Sequence, residues 1–148
     1  MVPSTADRVA QNTSDATNQK IGADIRDSIQ WHAQHPEVIS ARLRELDTEW
    51  DIERTLEANA STLAFTGVVL GATVDRRWLA LPALVTAFLF QHAVQGWCPP
   101  LPILRRMGFR TAREIDTERM ALKALRGDFA RVEESHDKAS VALRAAQT

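Results

Sequence analysis

The side chains best suited to chemistry lie together near the middle of the chain. Cys98 is its one thiol, two prolines follow it directly, and His92 lies shortly before it. A cysteine thiolate can act as a nucleophile or as a metal ligand. Cys98 is therefore a candidate thiol site, either a thiol or persulfide relay or a weak metal site shared across a dimer. The alternative is a small residue that fits where a helix ends.

His92 belongs to a polar group, with Gln91 and Gln95, inside an otherwise apolar segment. Polar side chains at membrane depth are costly and often functional. His92 and Gln95 share one helix face, which predicts hydrogen bonding across a helix pair near the membrane interface. Neither apolar run carries an acidic residue to complete a proton relay.

The remaining patterns do not predict an enzyme. His32 and His35 have helical spacing, but two ligands are too few for a metal site, and Pro36 distorts their geometry. The sequence contains no phosphate-binding glycine loop, nucleophile elbow or Ser/His/Asp set. We therefore predict no catalytic residues, no cofactor and no metal ion.

The elements that position these residues are two uncharged runs. Trp78 to Leu104 spans 27 residues without Asp, Glu, Lys or Arg, and Ala58 to Val74 is a second such run. The charged turn at residues 75–77 separates them. This pattern predicts a transmembrane helical hairpin.

Each arm of the hairpin has its own signature. The first carries a stripe of small residues that favours close helix association, namely Ala60, Ala64, Gly67 and Gly71. The second is bracketed by Trp78 and Trp97, about 29 Å apart along a helix, which suits an aromatic residue at each membrane interface.

The flanks predict an all-α chain, a transmembrane helical hairpin flanked by amphipathic or coiled-coil cytoplasmic helices. The expected segments are a disordered tail (1–20), soluble helices (21–57), the hairpin (58–104), and a basic connector with an amphipathic helix (105–148).

The helix over 37–57 is expected to continue unbroken into the first arm. From Thr111 an apolar heptad pattern that includes His136, with Glu118 as its charged exception, predicts one long helix. It packs either on its own chain or in a coiled coil with residues 37–57 or another subunit.

The charge distribution predicts an orientation. The chain has net charge −1, with 6 basic and 11 acidic residues in 1–57 and 10 basic and 7 acidic residues in 105–148. This balance is unlike that of a nucleic-acid-binding protein. Arg105 and Arg106 follow the hairpin and are expected at the membrane interface, so both termini are predicted to be cytoplasmic.

Residues 58–111 resemble the YgaP-type transmembrane domain, a bacterial family of two-helix membrane proteins without an established common activity. The matching features are Gly67, Gly71, Gly96-Trp97-Cys98-Pro99, Gly108 and Thr111; residues 121–129 also resemble the tail of one subgroup. The resemblance implies a bacterial inner-membrane location and self-association. Some relatives carry a rhodanese domain, but this chain lacks the length and α/β pattern for one, so sulfurtransferase activity is not inferred.

Taken together, these patterns predict a membrane-anchored scaffold or accessory subunit. Its partners would be the lipid bilayer and either a second copy or another membrane protein, with no nucleic acid. One alternative is a thiol or persulfide carrier that works through Cys98 with a separate sulfurtransferase. Another is a soluble helical-bundle interaction protein in which both uncharged runs form the core.

Overall fold

A computed structural model describes residues 7–130, 132, 135 and 137–147. The helices are α1 (Arg8–Gln11), α2 (Asp15–Gln34), α3 (Ile39–Thr48), α4 (Ile52–Thr73), α5 (Ala80–Gln95), α6 (Leu101–Arg106), α7 (Ala112–Arg126) and α8 (Lys138–Gln147), with short 3-10 helices at Pro36–Val38 and Arg76–Leu79. These described ranges contain no strand, which confirms the predicted all-α class.

The described chain divides into two compact units, each made from two separate stretches. Unit 1 comprises the described part of Met1–Ile21 with Trp50–Arg113, and unit 2 comprises Gly22–Glu49 with the described part of Glu114–Thr148. The division differs from the predicted segments, because residues before and after the hairpin join it in unit 1.

The predicted disordered tail is wrong for residues 7–20, which are mostly helical. Val9 is buried in the core of unit 1. The polar side chains nearby bind backbone carbonyls, since Asn12 Nδ2 donates to Arg8 O at 2.8 Å and Asn18 Nδ2 donates to Ala10 O at 2.9 Å. The polar side chains that suggested disorder therefore form hydrogen bonds within the folded segment. Residues 1–6 lie outside the described residues.

The predicted unbroken helix over 37–57 is also wrong. The chain is extended at Glu49, and α4 begins afresh after Asp51. Asp51 caps the new helix, since its Oδ1 accepts the backbone N–H of Arg54 at 2.7 Å. Aspartate is a strong N-cap residue, so the break does not require glycine or proline.

α4 and α5 form an antiparallel hairpin whose contact is made by the small residues of the first arm. Gly67 and Gly71 are buried. A Cβ at Gly67 would lie 2.5 Å from Pro82 Cδ, and one at Gly71 would lie 2.6 Å from Leu79 Cδ2. The helix that approaches this stripe is therefore α5 of the same chain.

The proline-rich segment after α5 interrupts the helix, and a new helix then follows. α5 ends at Gly96, whose φ of +77° is the left-handed conformation typical of a glycine C-cap. α6 starts at Leu101, directly after Pro100, so the chain is helical again before the predicted basic connector begins at residue 105. Prolines suit this position, since the first turn of a helix needs no backbone donor.

Unit 2 packs α3 against α7. Ile39, Leu43 and Leu46 form a buried cluster with Ile115 and Leu122. The heptad residues of α7 therefore pack on α3, which lies within the predicted partner segment 37–57.

The long helix predicted from Thr111 is divided. α7 ends before Gly127, whose φ is +84°, and α8 starts at Lys138. His136 of the predicted heptad pattern lies outside the described residues. Glu118, its charged exception, is fully buried, and it accepts Arg42 Nε at 3.0 Å and Ser28 Oγ at 2.6 Å.

Candidate functional site

A polar cluster around a buried histidine lies at the open end of the hairpin in unit 1. His92, in the last turn of α5, is 3% exposed. Its Nε2 lies 2.7 Å from Oε2 of Glu53, which is in the first turn of α4. Antiparallel packing brings the start of α4 beside the end of α5, so the two side chains meet across the hairpin.

Arg8 of α1 completes the cluster. Its NH2 donates to Glu53 Oε1 at 3.1 Å, and its NH1 donates to the Ala93 carbonyl at 3.4 Å. The backbone of α1 comes very close here, because a Cβ at Gly96 would lie 2.5 Å from Arg8 O. Glu53 thus interacts with His92 through one carboxylate oxygen and with Arg8 through the other, as an ionised carboxylate can.

The carboxylate fixes the tautomer of the histidine. An ionised carboxyl group can only accept hydrogen bonds, so Nε2 of His92 carries a hydrogen. The other ring nitrogen, Nδ1, is buried and has no hydrogen-bond partner among the described residues. The cluster thus holds an imidazole ring with one nitrogen bound to Glu53 and the other unbonded within the described structure.

The Cys98 side chain is 4% exposed and belongs to the apolar core that includes Val9, Ile52 and Leu101. Nδ1 of His92 has no hydrogen-bond partner among the described residues, so the thiol is not bonded to that ring nitrogen.

An apolar cavity of about 390 Å³ opens beside Cys98. α4 contributes Leu56 and Leu63, α5 contributes Phe88, and Ile103 of α6 lies opposite, with Asn59 as the one amide side chain in the lining. The volume lies in the range of roughly 300–1,000 Å³ that is usual for small-molecule sites.

The other predicted polar residues are placed differently. Gln91 and Gln95 contact each other along α5, with Nε2 of the first 3.5 Å from Oε1 of the second. Gln95 also accepts Asn12 Nδ2 at its carbonyl, at 2.9 Å. The side chain that bonds across the helix pair is therefore that of His92, and its partner is Glu53.

The predicted membrane-interface residues divide into exposed and buried ones. Trp78 and Trp97 are both exposed, at opposite ends of α5. Arg106 is exposed as well. The prediction is wrong for Arg105, which is 1% exposed and donates to Thr13 Oγ1, Asn18 Oδ1 and the Phe109 carbonyl. Arg105 therefore links α6 to the amino-terminal helices of unit 1.

The two described histidines of unit 2, His32 and His35, bond to backbone carbonyls of α2. His32 Nδ1 lies 2.7 Å from the Ser28 carbonyl, and His35 Nδ1 lies 2.9 Å from the Trp31 carbonyl. Each histidine therefore has one ring nitrogen occupied by the preceding helical turn.

Sequence reasoning missed Glu53 and Arg8 as parts of the site. Glu53 precedes the uncharged run, so a search for acids confined to that run passed over it. Aligning the two arms as an antiparallel hairpin would have revealed Glu53, because the residues just before the first arm must lie beside the end of the second. Arg8 gave no such signal, since its position depends on α1 folding onto the hairpin.

Comparisons of the chain with protein-family models, curated proteins and solved structures found no match. The resemblance to the YgaP-type transmembrane domain therefore stays a prediction.

Proposed function

We propose that this chain is a small integral membrane protein in which α4 and α5 cross the bilayer as a hairpin. We further propose that it acts as a membrane-anchored scaffold or accessory subunit. The observation that carries the proposal is the exposed apolar surface of the hairpin. Phe65 of α4 and Phe90 of α5 are each 71% exposed. Apolar surfaces of this extent mark protein or membrane contacts.

The second arm also suits a bilayer in length and composition. Arg76–Gln95 is the one helical segment of the described chain that is long and apolar enough to cross a membrane, and very little of it is buried. At 1.5 Å per residue its 20 residues extend about 30 Å, the hydrocarbon thickness of a bilayer. In a soluble bundle such a helix would form the core. The first arm is less apolar and would enter the bilayer packed on the second through Gly67 and Gly71.

Membrane extraction tests the anchor. We expect the full chain to stay in the membrane pellet after alkaline carbonate and to be released by detergent. Leu84→Lys, on the exposed side of α5, should weaken insertion because a lysine at the centre of a span costs about 2.5–3.5 kcal/mol. Leu125→Lys is the matched control, since this leucine is similarly exposed but lies in unit 2. Release of the unmodified chain by carbonate would support the soluble bundle instead.

Labelling with a membrane-impermeant maleimide tests the orientation. In a Cys98→Ser background, a cysteine at Arg76 in the hairpin turn should react from outside intact cells. Reaction only after permeabilisation would place the turn in the cytoplasm and reverse the proposed topology.

The scaffold role is tested by purification in mild detergent, with the mass of the complex measured by light scattering. A self-associated complex or one defined co-purifying membrane protein is expected. A monomer with no partner, both in detergent and after cross-linking in membranes, would contradict the scaffold role and leave the anchor intact.

A second candidate function is a covalent carrier that works through Cys98. It is favoured by the apolar cavity of about 390 Å³ that Cys98 helps to line, which leaves room for a group attached to the thiol. We expect Cys98, in protein held in detergent, to react with iodoacetamide faster than a thiol buried in a packed core. A rate equal to that of an ordinary buried thiol would remove this candidate.

A further inference from the structure

We propose that the cavity lined by α4, α5 and α6 holds part of one acyl chain of an anionic phospholipid, and that Arg106 binds the phosphate of that lipid. This inference rests on the proposed membrane anchor and names one specific lipid contact of it. It requires no reaction of Cys98 and does not depend on the scaffold role.

The cavity extends from the interior of unit 1 to its surface. Leu56 and Cys98 are buried and form its inner wall, whereas Leu63 and Ile103 are 49% and 62% exposed and form its mouth. From Leu56 to Leu63 the cavity follows α4 for about 10 Å. This depth fits within one leaflet, whose hydrocarbon layer is about 15 Å thick. In a hairpin that crosses the bilayer, the mouth would open among the acyl chains of the leaflet at the open end.

The lining of the cavity suits hydrocarbon and not water. Asn59 is its one amide side chain, and Nδ2 of Asn59 already donates to the Thr55 carbonyl at 2.9 Å. The other lining residues are aliphatic, aromatic, proline or cysteine. A buried water molecule needs about two to four polar partners, which this lining does not offer. An empty space would forfeit dispersion contacts, so an acyl chain from the surrounding leaflet is the favoured occupant.

The size of the cavity selects a single chain. One turn of an α-helix, about 10 Å across and about 5.4 Å high, occupies roughly 420 Å³. The whole cavity holds about 390 Å³, so a helix of a partner protein is too thick to enter it. At roughly 30 Å³ per methylene-sized group, the share of a water molecule in the liquid, the cavity admits about a dozen such groups. That is part of one acyl chain, and the headgroup must lie outside the mouth.

A cation lies beside the mouth of the cavity. Arg106 is exposed on α6 and forms no ion pair with any residue that the structure describes. It lies about 60° around the helix axis from Ile103, and the exposed Met107 follows it directly. Basic and apolar side chains that are exposed together are typical of a helix in the headgroup region. The phosphate of a lipid whose chain enters beside Ile103 would therefore meet Arg106.

The headgroup, and not the chain, should determine which lipid binds. Acyl chains of the bulk bilayer are as apolar as the cavity, so moving a chain between them releases little free energy. One arginine at an anionic lipid surface contributes enough free energy for about a fivefold change in affinity. We therefore expect phosphatidylglycerol to be preferred over phosphatidylcholine, in which a choline cation compensates the phosphate.

Photo-cross-linking in vesicles tests the proposal. The full chain is placed in phosphatidylcholine vesicles with a trace of phospholipid that carries a diazirine on one acyl chain and either headgroup. Mass spectrometry then maps the labelled residues. The phosphatidylglycerol probe should label Phe88 and Ile103 about fivefold more than the phosphatidylcholine probe does. Phe65 and Phe90, which are exposed outside the cavity, should be labelled equally by both probes. Equal labelling of Phe88 by the two probes would overturn the choice of an anionic lipid.

Two phenylalanine variants test the cavity itself. Ala60→Phe fills it, since Ala60 is part of its lining. This variant should lower the labelling of Phe88 relative to that of Phe65, which reports that the hairpin is still inserted. Ala72→Phe, at an exposed position of the same helix outside the cavity, should leave that ratio unchanged. Equal ratios in the two variants would overturn the assignment of the cavity.

Two arginine variants test the phosphate contact. Arg106→Gln should abolish the preference for phosphatidylglycerol at Phe88 and leave labelling by the phosphatidylcholine probe unchanged, because the charge is lost while the cavity remains. Arg76→Gln, at an exposed arginine in the hairpin turn, should retain the preference. Loss of the preference in both variants, or in neither, would overturn the role of Arg106.

Carbonate extraction of the same preparation separates the possible failures. If the chain stays in the membrane but neither probe labels Phe88 more than Phe65, the lipid site is wrong and the anchor stands. If carbonate releases the chain, the anchor fails, and the lipid site fails with it.

Discussion

The Glu53 carboxylate and the His92 imidazole meet across the α4–α5 hairpin at 2.7 Å, although 39 residues separate them in the chain. The contact fixes the register of the two helices at their open end. At the closed end, Gly71 packs against Leu79. A polar contact and a close backbone approach thus define the two ends of one helix pair.

Removing the carboxylate should destabilise the hairpin. Glu53→Ala leaves the buried Nε2 of His92 and the guanidinium of Arg8 without their shared acceptor. We expect a loss of about 1–3 kcal/mol in the free energy of unfolding, the usual cost of a buried donor left unsatisfied. Urea unfolding in detergent measures it, and Glu57→Ala, an exposed acid one turn later on α4, is the control. Equal losses of unfolding free energy in both variants would mean that the Glu53–His92 contact contributes no more to stability than an exposed acid does.

A side chain at Gly71 should force the hairpin apart. Its Cβ would lie 2.6 Å from Leu79 Cδ2, closer than real carbon atoms approach. Gly71→Val should cost about 1–3 kcal/mol, as overpacking usually does. Ala72→Val, at the adjacent exposed position, should change stability by less than about 0.5 kcal/mol. Thermal unfolding in detergent compares the two, and equal melting temperatures would show that Leu79 does not pack on Gly71.

Arg105 and Arg106 are neighbours that should behave in opposite ways. Arg105→Ala removes the donor for Thr13, Asn18 and the Phe109 carbonyl, and should destabilise unit 1 by about 1–3 kcal/mol. Arg106→Ala should leave stability unchanged but weaken binding to anionic vesicles by up to about 1 kcal/mol. Unfolding and vesicle co-sedimentation measure the two effects. The reverse assignment would restore Arg105 to the lipid-facing role that the sequence predicts.

The hairpin was predictable because its signal is local and repeated. Two uncharged runs and the turn at Asp75 predicted two adjacent helices. The small residues at Gly67 and Gly71 predicted close helix association but not its partner, which is the following segment of the same chain. The helix breaks at Asp51 and Gly127 were harder to predict. The apolar spacing continues across Asp51 without a shift, so it does not reveal the break there. A single glycine such as Gly127 is often tolerated inside a helix, so it does not by itself predict an end.

The site was only partly predictable, for a different reason. Cys98 and His92 stand out by residue type in an apolar segment. Their relation to each other, and to Glu53, depends on the turn at Gly96 and on the register of the hairpin. Burial of Arg105 depends on the amino-terminal helices, whose polar composition indicated disorder. Residue type thus identified the reactive groups, whereas tertiary packing determined their partners.

Two glycine-to-alanine changes in unit 2 should have opposite signs. Gly127 ends α7 with φ of +84°, and a Cβ there meets no other atom, so Gly127→Ala measures backbone strain alone. It should cost about 1–2 kcal/mol, because the left-handed conformation disfavours a side chain. Gly22 lies inside α2, where a Cβ makes an ordinary contact of 3.4 Å with Arg26 NH1. Gly22→Ala should stabilise by about 0.5–1 kcal/mol, because alanine loses less backbone freedom than glycine in a helix. Thermal unfolding monitored by circular dichroism gives both signs, and a stabilising Gly127→Ala would mean that α7 continues through this residue, as the heptad pattern predicts.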